Sequence, residues 1–152
     1  MSKRGLSLIA AILLTVVVVV FVVFENNKSG SLRADPTNPQ QVARGETVYA
    51  QACASCHGAN LQGEPNWRSP GRNGRLPAPP HDASGHTWHH PDQLLFEITK
   101  FGGRRFNPKS AMPGFESTFS DDDLWATLAF IKSRWPAQVR QRQRDVTLAS
   151  DR

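Results

Sequence analysis

Both cysteines of this 152-residue chain lie in the stretch Cys53-Ala54-Ser55-Cys56-His57. Two cysteines three positions apart, followed at once by a histidine, have the spacing of a c-type haem attachment site. Each thiol can form a thioether with one haem vinyl group, and the adjacent imidazole then lies under the iron as an axial ligand. The stretch therefore predicts one covalently attached haem c, bound through Cys53 and Cys56, with His57 on the iron.

A cysteine pair at this spacing has three other known uses: a structural disulfide, a thioredoxin-like redox pair and part of a zinc site. A redox pair of that kind is expected in a βαβ setting, whereas Cys53 ends a helical pattern in a chain without a convincing alternating strand pattern. A zinc site needs further close-set ligands, for which only the four later histidines are available. The sequence context favours haem over these alternatives.

The first of three helical patterns leads into the cysteine stretch. It starts with Asn38 as the cap and Pro39 at the first helical position, and it ends at Cys53. Gly45 inside this helix costs about 1 kcal/mol relative to alanine, which predicts that a bulky side chain approaches the backbone there. Phe130 is the candidate for that side chain.

Two further helical patterns follow the cysteines. One starts near Pro91 and stops before Gly102-Gly103. The other has Ser120 as its cap, three aspartates in its first turn, and Pro136 after its last residue. Together these patterns predict an all-α domain with three main helices and long loops.

The second iron ligand is predicted from a residue count. Apart from the initiator, Met112 is the only methionine in the chain. Pro113 biases Met112 away from helical geometry, which suits a loop side chain that points inward at a fixed target. The alternative is that Met112 only fills a gap in the core. We predict His57 and Met112 as the two iron ligands.

The N-terminal segment is predicted to be a membrane anchor. Residues 6–24 contain only two polar side chains, and as a helix they would span ~28 Å, enough to cross the bilayer core. A cleaved signal peptide and a buried helix of a soluble core are the alternatives. Lys3 and Arg4 precede the segment, so the positive-inside rule places the following domain outside the cytoplasm.

The chain divides into four parts on this interpretation. Residues 1–24 form a cytoplasmic tip and transmembrane anchor, residues 25–37 a flexible linker, residues 38–136 the folded domain, and residues 137–152 a basic, solvated and poorly ordered tail. The net charge of +5 is spread over these parts. Because residues 38–136 carry ten Lys/Arg against nine Asp/Glu, no nucleic-acid-binding surface is expected.

The segment between residues 71 and 91 is rich in arginine, proline, histidine and tryptophan. Its N–H donors suit the carboxylates of haem propionates. The histidines also allow a second hypothesis, a separate copper or zinc site. They are His81, His86, His89 and His90.

From Pro39 to Trp135 the sequence resembles the class I, or monohaem, cytochrome c family of the membrane-anchored bacterial type. The resemblance rests on Gly45 and Tyr49 ahead of the cysteine motif, on Met112-Pro113-Gly114-Phe115, and on a closing helix with Ala129-Phe130-Ile131-Lys132. It implies the cytochrome c fold around one covalent haem, with Gly45 and Phe130 at a helix crossing. It also implies that a proline carbonyl accepts a hydrogen bond from His57, for which Pro65 is the candidate.

Two protein ligands would leave no open iron position, so the predicted function is electron transfer and not enzymatic catalysis. We expect a membrane-tethered periplasmic carrier in a respiratory-type chain, cycling between Fe(II) and Fe(III) and single-pass in the bacterial inner membrane. Its partners would be redox proteins and, through residues 6–24, the membrane. The alternative is a fixed haem c subunit of a larger oxidase or dehydrogenase. A peroxidase would need an exchangeable iron position, which Met112 argues against.

Overall fold

A computed structural model describes residues 33–150 and residue 152 of the chain. It contains five α-helices in this range, joined by long loops. They are α1 (Pro39–Ala52), α2 (Ala54–His57), α3 (Asp92–Phe101), α4 (Asp121–Ser133) and α5 (Ala137–Ser150). Single 3₁₀ turns lie at Thr87–His89 and Gly103–Arg105. The described residues form no β-strand, only an isolated bridge between Leu76 and Ser110, so the all-α prediction is confirmed.

Helix α1 begins and ends where the sequence predicts. The side chain of Asn38 accepts hydrogen bonds of 3.1 Å from the backbone N–H groups of both Gln40 and Gln41, and Pro39 occupies the first helical position. These bonds satisfy two of the N–H groups that a helix start leaves without partners. The helix ends at Ala52, which leaves Cys53 as its C-cap at the start of the cysteine motif.

Helix α4 is fixed at its start by a reciprocal cap. The Ser120 hydroxyl accepts the backbone N–H of Asp123 at 3.2 Å, and the Asp123 carboxylate accepts the backbone N–H of Ser120 at 3.1 Å. The helix ends at Ser133, so Trp135 lies in the turn beyond it and is 2% exposed. Nine successive residues, 124–132, are buried, which makes α4 the central helix of the domain.

The crossing of α1 and α4 confirms the predicted close approach at Gly45, but Phe130 is the wrong partner. A Cβ atom at Gly45 would clash with the backbone carbonyl of Ala126. Phe130 lies one turn further along and packs on Tyr49, with ring centroids 5.3 Å apart. The close approach at Gly45 is therefore between the two helix backbones and does not involve a bulky side chain.

Helix α3 completes the core beside α4. It starts after Pro91 and ends at Phe101, where Gly102 adopts a φ of 88°, as the sequence predicts. Its Phe96 ring stacks on Trp125 of α4 with centroids 4.3 Å apart and planes within 4°. This packing makes Phe96 a core residue.

The C-terminal region is a helix, so the prediction of a solvated, poorly ordered tail after residue 136 is wrong. Helix α5 buries Gln143 and Thr147 on one face. Gln143 Nε2 donates to a carboxylate oxygen of Asp92 at 2.6 Å, and the Asp92 N–H donates to the Thr147 hydroxyl at 3.1 Å. No sequence signal indicated this contact because the two buried residues of α5 are polar, and polar residues add nothing to a hydrophobic period.

The predicted anchor, residues 6–24, and residues 25–32 of the predicted linker lie outside the described residues. Among the residues that are described, no helix combines the length and apolar character that crossing a bilayer requires. Residues 33–37 are not a free linker: Ala34 is fully buried, and the Gln41 side chain bonds both the Arg33 carbonyl at 2.6 Å and the Asp35 N–H at 2.8 Å. One amide side chain supplies both a donor and an acceptor, which fixes this segment to α1.

Candidate functional site

The two cysteines lie at the junction of α1 and α2. Cys53 is half-buried and its N–H donates to the Tyr49 carbonyl at 2.9 Å, whereas Cys56 is exposed. One helical turn separates them, so the two side chains leave the same side of the backbone. Both thiols are free, and burial raises the pKa of Cys53 to about 11. Neither sulfur atom of the motif is in a disulfide, so both can form a thioether.

His57 is buried at the end of α2, and one of its ring nitrogens is already engaged. Its Nδ1 lies 2.8 Å from the carbonyl oxygen of Pro79. A carbonyl only accepts, so Nδ1 carries the proton and Nε2 keeps its lone pair. Burial is the largest effect on His57 and lowers its pKa, which favours the neutral ring that a metal binds. Such a hydrogen bond also fixes a ligand ring and raises its basicity.

The proline whose carbonyl accepts the hydrogen bond from His57 is Pro79, so the expectation of Pro65 is wrong. The loop after His57 folds back on itself, with Gly63 N–H donating to the His57 carbonyl at 2.7 Å and Glu64 N–H to the Ala78 carbonyl at 2.8 Å. Gly63 adopts a φ of 66°, and a Cβ atom there would clash with the backbone around Pro79. Gly63 was the one sequence signal for this close return of the chain.

His81 lies against His57, a relationship that the sequence did not reveal. The two imidazole rings stack with centroids 3.9 Å apart and planes 22° from parallel. His81 Nδ1 lies 2.8 Å from the Thr87 hydroxyl, and the Trp135 indole N–H donates to the His81 carbonyl at 2.7 Å. Burial lowers the pKa of His81 well below its usual value, with a smaller contribution from His57. His81 is thus a neutral ring beside the candidate ligand.

Of the other histidines in this segment, His86 and His90 lie edge-on to each other with ring centroids 5.4 Å apart. His86 stacks on Trp67 with centroids 5.1 Å apart, and His89 lies edge-on to Trp88 at 3.7 Å. Within the described part of the chain, no group of three or more His, Cys, Asp or Glu residues could hold a metal ion. The hypothesis of a second metal site therefore receives no support from these residues.

Arg72 and Arg75 of the same segment line a cleft of about 470 Å³. Ala111, the neighbour of Met112, also lines this cleft. The bridge between Leu76 and Ser110 joins the two loops at this point. Guanidinium groups suit carboxylates, and the cleft is also lined by the Glu64 carboxylate; propionate binding by donors of this segment stays a prediction.

Met112 lies in the loop before α4 with a half-buried side chain. Its backbone is held on both sides: its N–H donates to the Ser110 hydroxyl at 3.2 Å, and its carbonyl accepts the Gly103 N–H at 3.1 Å. The loop also packs closely on the end of α3, because a Cβ atom at Gly102 would lie 2.9 Å from the Gly114 nitrogen. Met112 thus projects from a fixed backbone, and its ligation of iron stays a prediction.

The residues present fit a covalently held haem. Two free thiols, a free His57 Nε2 and a fixed methionine loop supply the required groups. Two ring nitrogens of the loop also lack partners: the indole N–H of Trp88 and Nδ1 of His86 are buried without a hydrogen bond in the described residues. An unpaired buried donor costs about 1–3 kcal/mol, and a bound group with acceptor oxygens would remove that cost.

Comparison with known proteins gives one match. The family described as cytochrome c oxidase, cbb3-type, subunit III matches residues 40–131, which is more than half of the chain. The matched range begins in α1, includes the cysteine motif and Met112, and ends in α4. No curated protein and no solved structure matches the chain.

Proposed function

The chain belongs to the cytochrome c family described as cytochrome c oxidase, cbb3-type, subunit III, and from this premise we propose that it is a membrane-tethered electron carrier acting outside the cytoplasm. A cytochrome c domain implies electron transfer through haem. The haem would be covalently held by Cys53 and Cys56, with His57 and Met112 as the iron ligands. When bound, it supplies a one-electron Fe(II)/Fe(III) couple.

The observation that carries this proposal is the 2.8 Å contact between His57 Nδ1 and the Pro79 carbonyl beside two free thiols. The contact holds the ring in the tautomer whose Nε2 can bind iron. A disulfide has no need for that arrangement, and a zinc site would need further close-set ligands, of which the described residues provide no group of three or more. His57 is itself only 6% exposed, and the buried Tyr49 hydroxyl donates to the carbonyl of the next residue, Gly58, at 2.9 Å.

Met112 determines whether the site carries electrons or binds small molecules. With a thioether on the second axial position, oxygen and peroxide find no open iron site, and the ferrous state is favoured, which raises the potential. The bonds from Ser110 and Gly103 to the Met112 backbone support this role, since they fix the loop before any cofactor binds. We therefore assign no catalytic residue.

The attachment is tested with single and paired serine variants of the cysteines. Wild-type protein made in a host that attaches c haem should keep its haem after denaturation and acid–acetone extraction. Cys53→Ser and Cys56→Ser should each shift the pyridine haemochrome band, because one thioether is lost, and the double variant should release all haem. Ser55→Ala, an exposed position inside the motif, is the matched control. Complete extraction of haem from the wild type would refute covalent attachment.

Membrane tethering and the periplasmic location rest on residues 6–24. Their length and apolar composition suit a single span, with Lys3 and Arg4 on the cytoplasmic side. The full chain should stay in the membrane fraction after a carbonate wash, and a variant lacking residues 6–24 behind a cleavable export signal should be released. A full chain recovered in the soluble periplasm would exclude the anchor.

A fixed subunit of a larger oxidase or dehydrogenase is the second candidate. The description of the matched family, an oxidase subunit, favours it. A tether raises the encounter rate with redox partners without any permanent contact, whereas a subunit keeps its partners. Purification in mild detergent separates the two: stoichiometric partner proteins indicate a subunit, and a lone haem protein indicates a carrier.

A further inference from the structure

One short segment, residues 79–81, holds the His57 ring on two sides. The Pro79 carbonyl accepts the Nδ1 proton at 2.8 Å, which constrains the edge of the ring. The His81 ring covers one face, with centroids 3.9 Å apart and an angle of 22° between the planes. A single hydrogen bond still lets a ring tilt about its Cβ–Cγ bond, and a stacked neighbour removes that freedom.

His81 is in turn fixed at three points. The backbone N–H of His81 donates to the Leu61 carbonyl at 2.8 Å, and the backbone carbonyl of His81 accepts the Trp135 indole N–H at 2.7 Å. Its Nδ1 lies 2.8 Å from the hydroxyl of Thr87, a residue only 5% exposed. The backbone and the ring of His81 are therefore both anchored to the interior of the domain.

We propose that His81 is a positioning residue for His57: it sets the plane of the His57 imidazole at the iron and keeps the Pro79 carbonyl on Nδ1. This inference rests on the proposed function, since it concerns the iron ligand. Groups that orient a ligand and strengthen its hydrogen bond change its basicity, and with it the redox potential of the iron.

A purely space-filling role does not require these contacts. An aliphatic side chain at position 81 would cover the His57 face without placing a polar ring in the interior, which is costly unless it is hydrogen-bonded. The Thr87 hydroxyl satisfies that requirement at Nδ1 of His81. The pairing of the half-buried His81 imidazole with the buried Thr87 hydroxyl gives the ring one defined orientation against His57.

The test compares four variants of the haem-loaded full chain. His81→Ala removes the ring, Thr87→Val removes its hydroxyl partner, and His81→Phe keeps a flat ring without Nδ1. His89→Ala is the matched control, because His89 is an exposed histidine of the same segment that faces Trp88. The readouts are the g values of the ferric protein, the order of its shifted haem methyl resonances, and the midpoint potential.

His81→Ala should alter the g values and reorder the methyl resonances, because both report the plane of the axial imidazole. Its midpoint potential should rise, since a looser Nδ1 bond makes His57 a weaker donor to ferric iron. Thr87→Val should shift the same readouts in the same direction but less, and His81→Phe should keep a methyl order nearer the wild type. His89→Ala should change nothing.

The proposal is overturned if His81→Ala matches His89→Ala in g values, methyl order and potential, even when its stability falls. Should His81→Ala fail to fold, unchanged g values, methyl order and potential in Thr87→Val overturn it equally, because that variant removes the only hydrogen-bond partner of the His81 ring shown in the described residues. Failure of the proposed function looks different, because the wild type itself would then give no c-type pyridine haemochrome.

Discussion

Lys132 and Asp92 form an ion pair inside the protein: Lys132 Nζ lies 2.9 and 2.7 Å from the two carboxylate oxygens, and the side chains are 4% and 7% exposed. Asp92 is the first residue of α3 and Lys132 lies near the end of α4. Gln143 of α5 donates to the same carboxylate at 2.6 Å. Burial lowers the pKa of Lys132, and Asp92 opposes that change. Three helices thus meet at one buried carboxylate.

Breaking this pair should destabilise the domain strongly. Lys132→Met leaves the Asp92 charge buried without its cation, and the loss of one partner from such a pair costs about 3–5 kcal/mol. Urea unfolding of the haem-loaded protein measures this loss in the free energy of unfolding. The double variant Lys132→Met/Asp92→Leu should recover much of the loss, because no unpaired charge remains. Lys109→Met, at an exposed site, is the control, and an equal effect of the two single lysine variants would contradict the account.

Replacement of Gly45 by alanine should destabilise the domain, although alanine favours a helix by about 1 kcal/mol. The new methyl group would clash with the Ala126 carbonyl, so α1 and α4 must move apart. Overpacking of this kind typically costs about 1–3 kcal/mol. The reverse change at an exposed site of the same helix, Ala50→Gly, should cost only the propensity difference. A more stable Gly45→Ala protein in the same urea titration would refute the close crossing.

Acid should destabilise the start of α4, because it protonates the Asp123 carboxylate. Arg44 donates to its carboxylate at 2.7 Å, and the Ser120 hydroxyl donates to it at 2.6 Å. These bonds lower the pKa of Asp123, so its contribution is present above the unfolded pKa of about 3.9 and is lost as the pH falls through the lower folded pKa. The free energy of unfolding of wild type should exceed that of Asp123→Asn at pH 7, and the gap should close below about pH 4.

The control for this titration is Asp122→Asn in the same helical turn. The structure gives the Asp122 carboxylate no side-chain hydrogen bond among the described residues, so its variant should show a smaller dependence on pH over the same range. If Asp123→Asn and Asp122→Asn follow wild type in parallel from pH 7 to pH 2, the bonds from Arg44 and Ser120 do not stabilise the folded state.

The sequence predicts helix starts and ends best where residues close in sequence determine them. Asn38-Pro39 and Ser120 set helix starts through caps that involve neighbouring residues, and Gly102 sets an end through its positive φ. Such signals need no knowledge of the rest of the fold. The cysteine motif is local in the same sense, which is why the candidate attachment site could be identified from five consecutive residues.

Contacts between distant residues could not be predicted in this way. The sequence does not distinguish Pro79 from Pro65 as the hydrogen-bond partner of His57. Only the return of the loop past Gly63 brings Pro79 to His57. The stacking of His81 depends on the same return. The burial of α5 depends on Gln143 and Thr147, polar residues whose partner Asp92 lies about fifty positions away along the chain. Periodicity and spacing carry no signal for these pairings.

The most direct test of the central claim, an electron carrier with both iron positions filled by the protein, is the optical spectrum of wild type and Met112→Ala with carbon monoxide added to the reduced forms. Phe106→Ala, an exposed apolar residue nearby, serves as the control. We expect wild type and control to show the weak near-infrared band of a methionine-ligated ferric haem and to ignore the gas, and Met112→Ala to lose the band and bind it. A wild type that is high-spin and binds carbon monoxide readily would contradict the claim.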